Sequence, residues 1–214
     1  NFDNLSDVSE TKTKLENLRK LLKLYKLDGV IIPKSDMHQD EFIEPCDDRL
    51  KWITGFTGSA GVLLLLQDDA LIFVDGRYKI QAIEQVDKKY INTSCSNDVN
   101  LHEFIARNCR NKRIGFDPWL HSVSQVKDLE SKCSAKLIPC ENQVDKTWLN
   151  RPARSNKKIR EHPVKFSGLS RGKKVSMLKE KLRDIGANIH ILTKPDSISW
   201  LLNIRGSDVS HSPI

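Results

Sequence analysis

No run of apolar residues in this 214-residue chain approaches the roughly 18–20 needed to cross a bilayer. No membrane-spanning helix is therefore expected. Cysteine is sparse and odd in number: Cys46, Cys95, Cys109, Cys133 and Cys140, with no Cys-x-x-Cys among them. That pattern argues against a disulfide scaffold or a zinc knuckle, and for reduced thiols in a cytosol. The short motifs that announce nucleotide or hydrolase chemistry are missing too. There is no Gly-rich phosphate loop, no His-Glu-x-x-His and no Gly-x-Ser-x-Gly elbow. The opening residues, NFDNLSDVSE, are acidic and polar, unlike a secretion signal. Asn1 stands where a Met would start a chain, so residues are expected to be missing upstream or to have been removed.

What is present is a polar globular composition with unevenly placed charge. The net charge is +7, yet residues 151–185 hold twelve Lys/Arg against three Asp/Glu, a local balance of +9 that leaves −2 elsewhere. A basic segment can bind phosphates. Only Phe166 interleaves this one, so a solvated linker and helix face is the simpler reading, and no nucleic-acid partner is expected.

Periodicity places the elements. Leu15, Leu18, Leu21, Leu22 and Tyr25 form one stripe and predict a helix over Thr11–Leu27. A strand follows at Val30–Ile32. Val62–Leu66 and Leu71–Val74 read as a hairpin turned at Gln67-Asp68-Asp69. Helices are expected over Tyr78–Val86, Leu101–Asn108 and Val123–Cys133, and strands over Ile91–Thr93, Arg113–Asp117 and Ala135–Pro139. Alternating helices and strands predict an α/β fold, a mixed sheet flanked by helices. From Leu149 to Lys165 the pattern dissolves into Asn, Arg, Pro, Ser and Lys. The expected organisation is a first domain over 1–148, a basic linker over 149–165, and the start of a second domain over 166–214. In that last stretch Val175, Leu178, Leu182 and Ile185 predict a helix, and Ile189–Leu192 a strand.

The second unit echoes the first. Trp52-Ile53-Thr54-Gly55-Phe56-Thr57-Gly58-Ser59 aligns without gaps to Trp200-Leu201-Leu202-Asn203-Ile204-Arg205-Gly206-Ser207, after the same helix–strand–loop order. The first copy runs on into its hairpin, while the second stops at Pro213-Ile214. A sheet without those strands would keep an open edge, so the chain reads as a fragment, or as one whose partner strands come from elsewhere.

Few residues invite a chemical role. Asp36, His38, Asp40, Glu41 and Glu44 could suggest a metal site, but their spacing matches no known ligand set, and a solvated or ion-paired loop explains them. His211 near Asp208 reads as structural. Arg77 is the stronger candidate. It follows a strand end and a Gly turn, where a guanidinium can clamp a carboxylate or carbonyl two-pronged. The plain alternative is an ion pair with Asp75 or with an acid of the 36–48 loop.

The segments DMHQDEFIEPCDDR (36–49), GFTGSAG (55–61) and VDGRY (74–78) resemble the N-terminal domain of cytosolic Xaa-Pro aminopeptidases, the aminopeptidase P family. Gly115-Phe116-Asp117-Pro118, Asn142–Trp148 with Arg151-Pro152, and Ser199–Val209 continue the likeness in order, so it covers nearly the whole chain. The resemblance implies a creatinase-type N-terminal fold used twice, which accounts for the repeat. It implies a third, catalytic domain with two divalent metals, manganese being usual, none of whose ligands falls here: no catalytic or metal-binding residue is expected in this chain, and no cofactor bound by it. It further implies a peptide substrate with proline second, a cytoplasmic location and a homodimer as the full-length protein. The family's peptide-contacting Arg falls on Arg77, and the loop carrying His38 would line the same side. A different class stays open: a non-catalytic peptide- or protein-binding module on a peptidase-like fold.

Overall fold

The computed structural model describes residues 7–95, 98–209 and 211–213. They form two compact units. The first takes in the chain up to Glu41 and Pro45–Pro152, and the second takes in Phe42–Glu44 and the chain from Ala153 onward. No helix among the described residues is long and apolar enough to cross a membrane.

The first unit is built on a six-stranded sheet. Its strands are β1 (Gly29–Pro33), β2 (Val62–Leu66), β3 (Ala70–Val74), β4 (Asn92–Cys95), β5 (Arg113–Phe116) and β6 (Lys136–Pro139). Their spatial order is β4-β3-β2-β1-β5-β6. β2 runs antiparallel to both neighbours, while β1 pairs parallel with β5, β3 with β4, and β5 with β6. Five strands therefore share one direction and β2 alone opposes them. The predicted hairpin is β2–β3, closed where Leu66 N donates to Asp69 O at 2.8 Å.

The sheet is apolar on both faces because helices cover both. Alternate residues Val30, Ile32, Leu63, Leu65, Ile72 and Val74 point to one side. There they meet Leu15, Leu18 and Leu22 of α1 (Thr11–Leu24), Leu50 and Ile53 of α2 (Arg49–Thr54), Ala82 of α3 (Lys79–Gln85) and Val144 of α6 (Gln143–Thr147). The intervening residues Ile31, Leu64, Leu71 and Phe73 meet Ile105 of α4 (Leu101–Asn108) and Leu129 of α5 (Val123–Lys132). Continuous apolar runs such as Val62–Leu66 are what a strand buried on both sides requires. All five cysteines are free; Cys46, Cys95 and Cys109 are buried, and burial pushes the Cys109 thiol up.

Four oppositely charged side chains lock the closing helix of this unit to its middle. Arg49 reaches Asp145 in two-pronged fashion, Nε to Oδ1 at 2.7 Å and Nη2 to Oδ2 at 3.0 Å. Its Nη1 lies 3.2 Å from Asp47 Oδ1. Arg151 completes the box, 2.7 Å from Asp145 and 3.3 Å from Asp47, and donates to Cys46 O. Burial works against the Arg49 charge, but the carboxylates of Asp145, Asp47 and Asp117 together more than offset it and hold the guanidinium above its ordinary range. The Asp-Asp-Arg and Asp-Lys-Thr-Trp…Arg-Pro segments are thus tied together through structure, beside the stacked rings of Trp52 and Trp148, 5.3 Å apart.

The second unit contains β7 (Arg160–Glu161), α7 (Val164–Ser167), α8 (Arg171–Asp184), α9 (Pro195–Leu202) and β8 (Ile204–Arg205), with β7 and β8 paired antiparallel. It repeats the first at a constant offset of 160 in its long helix α8, which answers to α1. Lys14 and Lys174 are each fourth in a 14-residue helix. Both helices stop through one wrap of backbone: Leu27 N donates to Leu22 O, and Ala187 N to Leu182 O, each at 2.8 Å. The wrap needs a left-handed residue, Lys26 at φ 55° in one unit and Gly186 at φ 67° in the other.

The tryptophan alignment holds as well. Gly55 ends α2 at φ 77°, and Asn203 ends α9 at φ 53°. Lys14 Nζ donates to Trp52 O at 2.9 Å and sits over that ring at 4.9 Å. Lys174 Nζ donates to Trp200 O at 2.7 Å and sits over that ring at 4.3 Å. Lys174 also donates to Asn203 Oδ1 at 2.6 Å.

Two expectations are corrected. Ile189–Leu192 is not a strand: Ile189 and Ile191 are each 79% exposed, and no ladder partner faces them among the described residues. A β-branched run takes up strand geometry only beside a neighbour that shares its hydrogen bonds. The helix stripe nearby is only half-buried, and a groove of about 760 Å³ runs between α8 and α9, floored by Leu178, Trp200 and Leu201. The expected linker over 149–165 is shorter, because the unit boundary falls after Pro152 and β7 lies within that stretch. Polar anchors order it: Ser155 N donates to Glu44 Oε2 at 2.7 Å, and Lys157 N to Asp208 Oδ1 at 3.0 Å. A hydropathy pattern does not register such anchors.

Replacing Lys14 by Met strands the Trp52 carbonyl at a buried helix end and should cost about 1.5–3 kcal/mol. Urea unfolding of the 214-residue chain measures it, and an unchanged midpoint would remove the lysine from the account. A Cβ on Gly58 would stand 2.2 Å from Cζ of the fully buried Phe56 ring. Gly58→Ala is therefore expected to destabilise by roughly 1–3 kcal/mol through overpacking, read in the same titration.

Candidate functional site

Because β1, β3, β4, β5 and β6 share a direction, their carboxyl ends lie along one edge of the sheet. The loops after β1 and β3 leave from that edge, and the chain enters antiparallel β2 from it. Lys34 N, just past β1, donates to Gly61 O at 2.8 Å, so the segments on either side of β1 and β2 are held together. In open α/β sheets this edge is where ligands collect.

Arg77 lies here, in the short 3₁₀ turn Gly76–Tyr78 that follows β3. Asp75 sets that turn by accepting from Arg77 N at 2.9 Å. The same carboxylate pairs with the side chain, Nη2 to Oδ2 at 2.7 Å and Nε to Oδ1 at 3.2 Å. The Arg77 side chain is 70% exposed and lies over the Tyr78 ring, 5.2 Å from its centre. The Asp75 bond holds the guanidinium above its ordinary range, with Glu41 adding to the effect. Reciprocally, the Arg77 bond holds the Asp75 carboxyl below the usual range. The ion pair foreseen as the plain alternative is thus present, and it leaves most of the guanidinium surface in solvent.

Tyr78 is the fixed platform beneath it. Its hydroxyl is 2.8 Å from Ser59 Oγ, and its ring meets Phe56 edge-on at 5.7 Å. Ser59 Oγ also donates to Glu41 Oε1 at 3.2 Å. Three separate segments, 36–41, 57–61 and 75–78, therefore converge around Arg77. Next to them Thr57 N and Oγ1 bond Gln85 Oε1, at 2.9 and 3.1 Å, fixing the approach to β2.

His38 is exposed on the first of those segments. Its backbone N–H donates to Asp36 Oδ1 at 2.9 Å, and Asp40 N donates to the same oxygen at 3.2 Å. The buried Asp36 carboxylate thus shapes the loop from inside. The structure joins Arg77 with Tyr78, Ser59 and Glu41, and it places His38 on the same edge. Among the described residues no group of three or more His, Cys, Asp or Glu could hold a metal ion. Ser59 was missed by sequence reasoning; a serine inside Gly-Ser-Ala-Gly just before a strand was its only signal. In the second unit Asp208 accepts from Ser155 Oγ and Lys157 N, and His211 lies 6.2 Å from the Phe42 ring, so both pack against their own unit.

The chain matches the model described as Creatinase/Prolidase N-terminal domain over residues 14–147, and a second model of the same description over residues 150–214. A protein named probable Xaa-Pro aminopeptidase P, from Ajellomyces capsulatus, is 36% identical over 96% of this chain. The chain spans about a third of that relative's length, 34%. The crystal structure of an X-prolyl aminopeptidase from Caenorhabditis elegans, described as a cytosolic enzyme with a di-nuclear active site, superposes with a TM-score of 0.86 at 29% identity, covering 95% of this chain and 36% of that one. The N-terminal domain of a putative metallopeptidase from Corynebacterium diphtheriae shares the fold, with a TM-score of 0.51 at 24% identity, covering 62% of this chain and 97% of that one. Two matched models in tandem agree with two units that repeat one lysine–tryptophan contact. The chain belongs to the creatinase/prolidase N-terminal domain family.

Proposed function

We propose that this chain is the N-terminal, non-catalytic region of a dinuclear-metal aminopeptidase that removes the first residue from peptides with proline second. The likeness to Xaa-Pro aminopeptidase P, unbroken along the chain, is the observation that carries this reading. The first unit is its first domain and the second unit opens its second. The metals, manganese in this reading, sit on the catalytic domain of the whole protein. The described residues offer no metal-holding group, so no bond-making step is assigned to them. The whole enzyme is cytoplasmic and a homodimer.

The contribution of the first unit is to cover the cleft and hold the peptide. Arg77 is its contact residue. A guanidinium already oriented by Asp75 and Tyr78 loses little freedom when it takes a peptide carbonyl or carboxylate, and its fork suits two-pronged pairing. The 36–41 loop, with His38, lines the same side.

Assays of Xaa-Pro peptides with manganese should show turnover by the full-length protein and none by the 214-residue chain; turnover by the short chain alone would end the non-catalytic assignment. Arg77→Ala in the full-length protein is expected to lower kcat/KM by about 10²–10³-fold, the scale seen when one preorganised donor is removed. Arg77→Lys should recover only part, since an ammonium cannot reproduce the fork. Wild-type kcat/KM in both variants would place Arg77 outside the site. A full-length protein that binds such peptides without cleaving them would instead favour the binding-module class.

A further inference from the structure

Asp75 precedes Arg77 by two residues, and the turn between them folds the two side chains onto each other. The carboxylate that starts the turn, accepting from Arg77 N at 2.9 Å, is thereby set beside the side chain whose charge it meets. A guanidinium carries five N–H donors. Asp75 takes one edge of it, with Nη2 at 2.7 Å from Oδ2 and Nε at 3.2 and 3.3 Å from Oδ1 and Oδ2. Tyr78 covers one face. The end of the fork, both hydrogens of Nη1 and the outer one of Nη2, stays open: no further acceptor is bonded to it among the described residues.

That open end offers donors but little unbalanced charge. Ser59 Oγ holds Glu41 Oε1 at 3.2 Å, which brings a second carboxylate to the same segments. Its field adds to that of Asp75 at the guanidinium. The next basic residue along the chain, Lys79, is paired with Asp98 at 3.0 Å. Two carboxylates therefore bear on one guanidinium. A third carboxylate, arriving on a ligand, would meet two like charges. A neutral carbonyl would accept from the same fork without that repulsion. The Arg77 side chain is 70% exposed, so water and salt screen the difference to several-fold, not orders of magnitude.

We propose that Asp75 makes Arg77 selective for a neutral main-chain carbonyl over a terminal carboxylate, so that the site takes peptides that continue, or are amide-capped, beyond the contact. This rests on the peptide-contacting role given to Arg77 above and names the group it holds. Asp75 is a positioning residue: it sets which end of the guanidinium is open and how much charge that end presents. Peptides that differ only in a C-terminal carboxylate or carboxamide test it. They are made at two lengths, Xaa-Pro and Xaa-Pro-Xaa, so that the terminus falls on the proline or one residue beyond, and kcat/KM is measured with the full-length protein. At one of these lengths the carboxamide should be favoured by about five- to tenfold, and the preference should shrink as salt is raised. Asp75→Asn keeps an oxygen to accept from Arg77 N and removes the charge. It should abolish the preference by speeding the carboxylate peptide, whereas a merely structural defect would slow both alike. No turnover of any of the four peptides would overturn the aminopeptidase reading and this inference with it. Turnover with no carboxamide preference at either length, a preference indifferent to salt, or one unmoved by Asp75→Asn would overturn this inference alone. The two wild-type measurements decide the matter even if the variant fails to fold.

Discussion

In each unit a lysine on the first long helix reaches across to the carbonyl that ends a second helix, and sits over a tryptophan ring on the way. Lys14 does this to Trp52, and Lys174 to Trp200. A helix end buried without partners would carry unmet carbonyls, so an ammonium there serves both as hydrogen-bond donor and as a cation at the negative end of the helix. The contact sets the position of the second helix against the first. In the first unit it thereby decides where Gly55 releases the chain toward β2. Ser59, on the segment that enters β2, inherits its place from that release.

The second constraint is the lone reversed strand. Because β2 opposes the other five, the Gly-rich segment that enters it stands beside the segments that leave β1 and β3. One serine can then touch both Glu41 and Tyr78, and the Asp75–Arg77 pair is presented on an aromatic platform rather than on a loose loop.

How much of this could be read beforehand depends on the kind of force involved. The six sheet strands and the helices α1, α3, α4, α5 and α8 were legible because apolar burial leaves a period in the chain. The helix over 49–54 was not, since Arg49 and Lys51 break its apolar stripe and the burial of Arg49 depends on Asp145, 96 residues on. The strand expected at Ile189–Leu192 had the right composition, but no neighbour pairs with it among the described residues. The segment beyond Pro152 looked unstructured because Glu44 and Asp208, not apolar contacts, hold it. Arg77 was visible as an arginine after a strand and a glycine, whereas Ser59 carried almost no signal.

From sequence alone came the α/β class, the family likeness, the internal duplication and Arg77 as the residue to watch. These rest on local spacing and on residue types, which survive being written in one dimension. The tertiary structure alone decided that two lysines 160 positions apart make the same bond, and that two arginines and two aspartates close one box. Each of those joins groups far apart in the chain, and their energies exist only once distance in space replaces distance along the backbone.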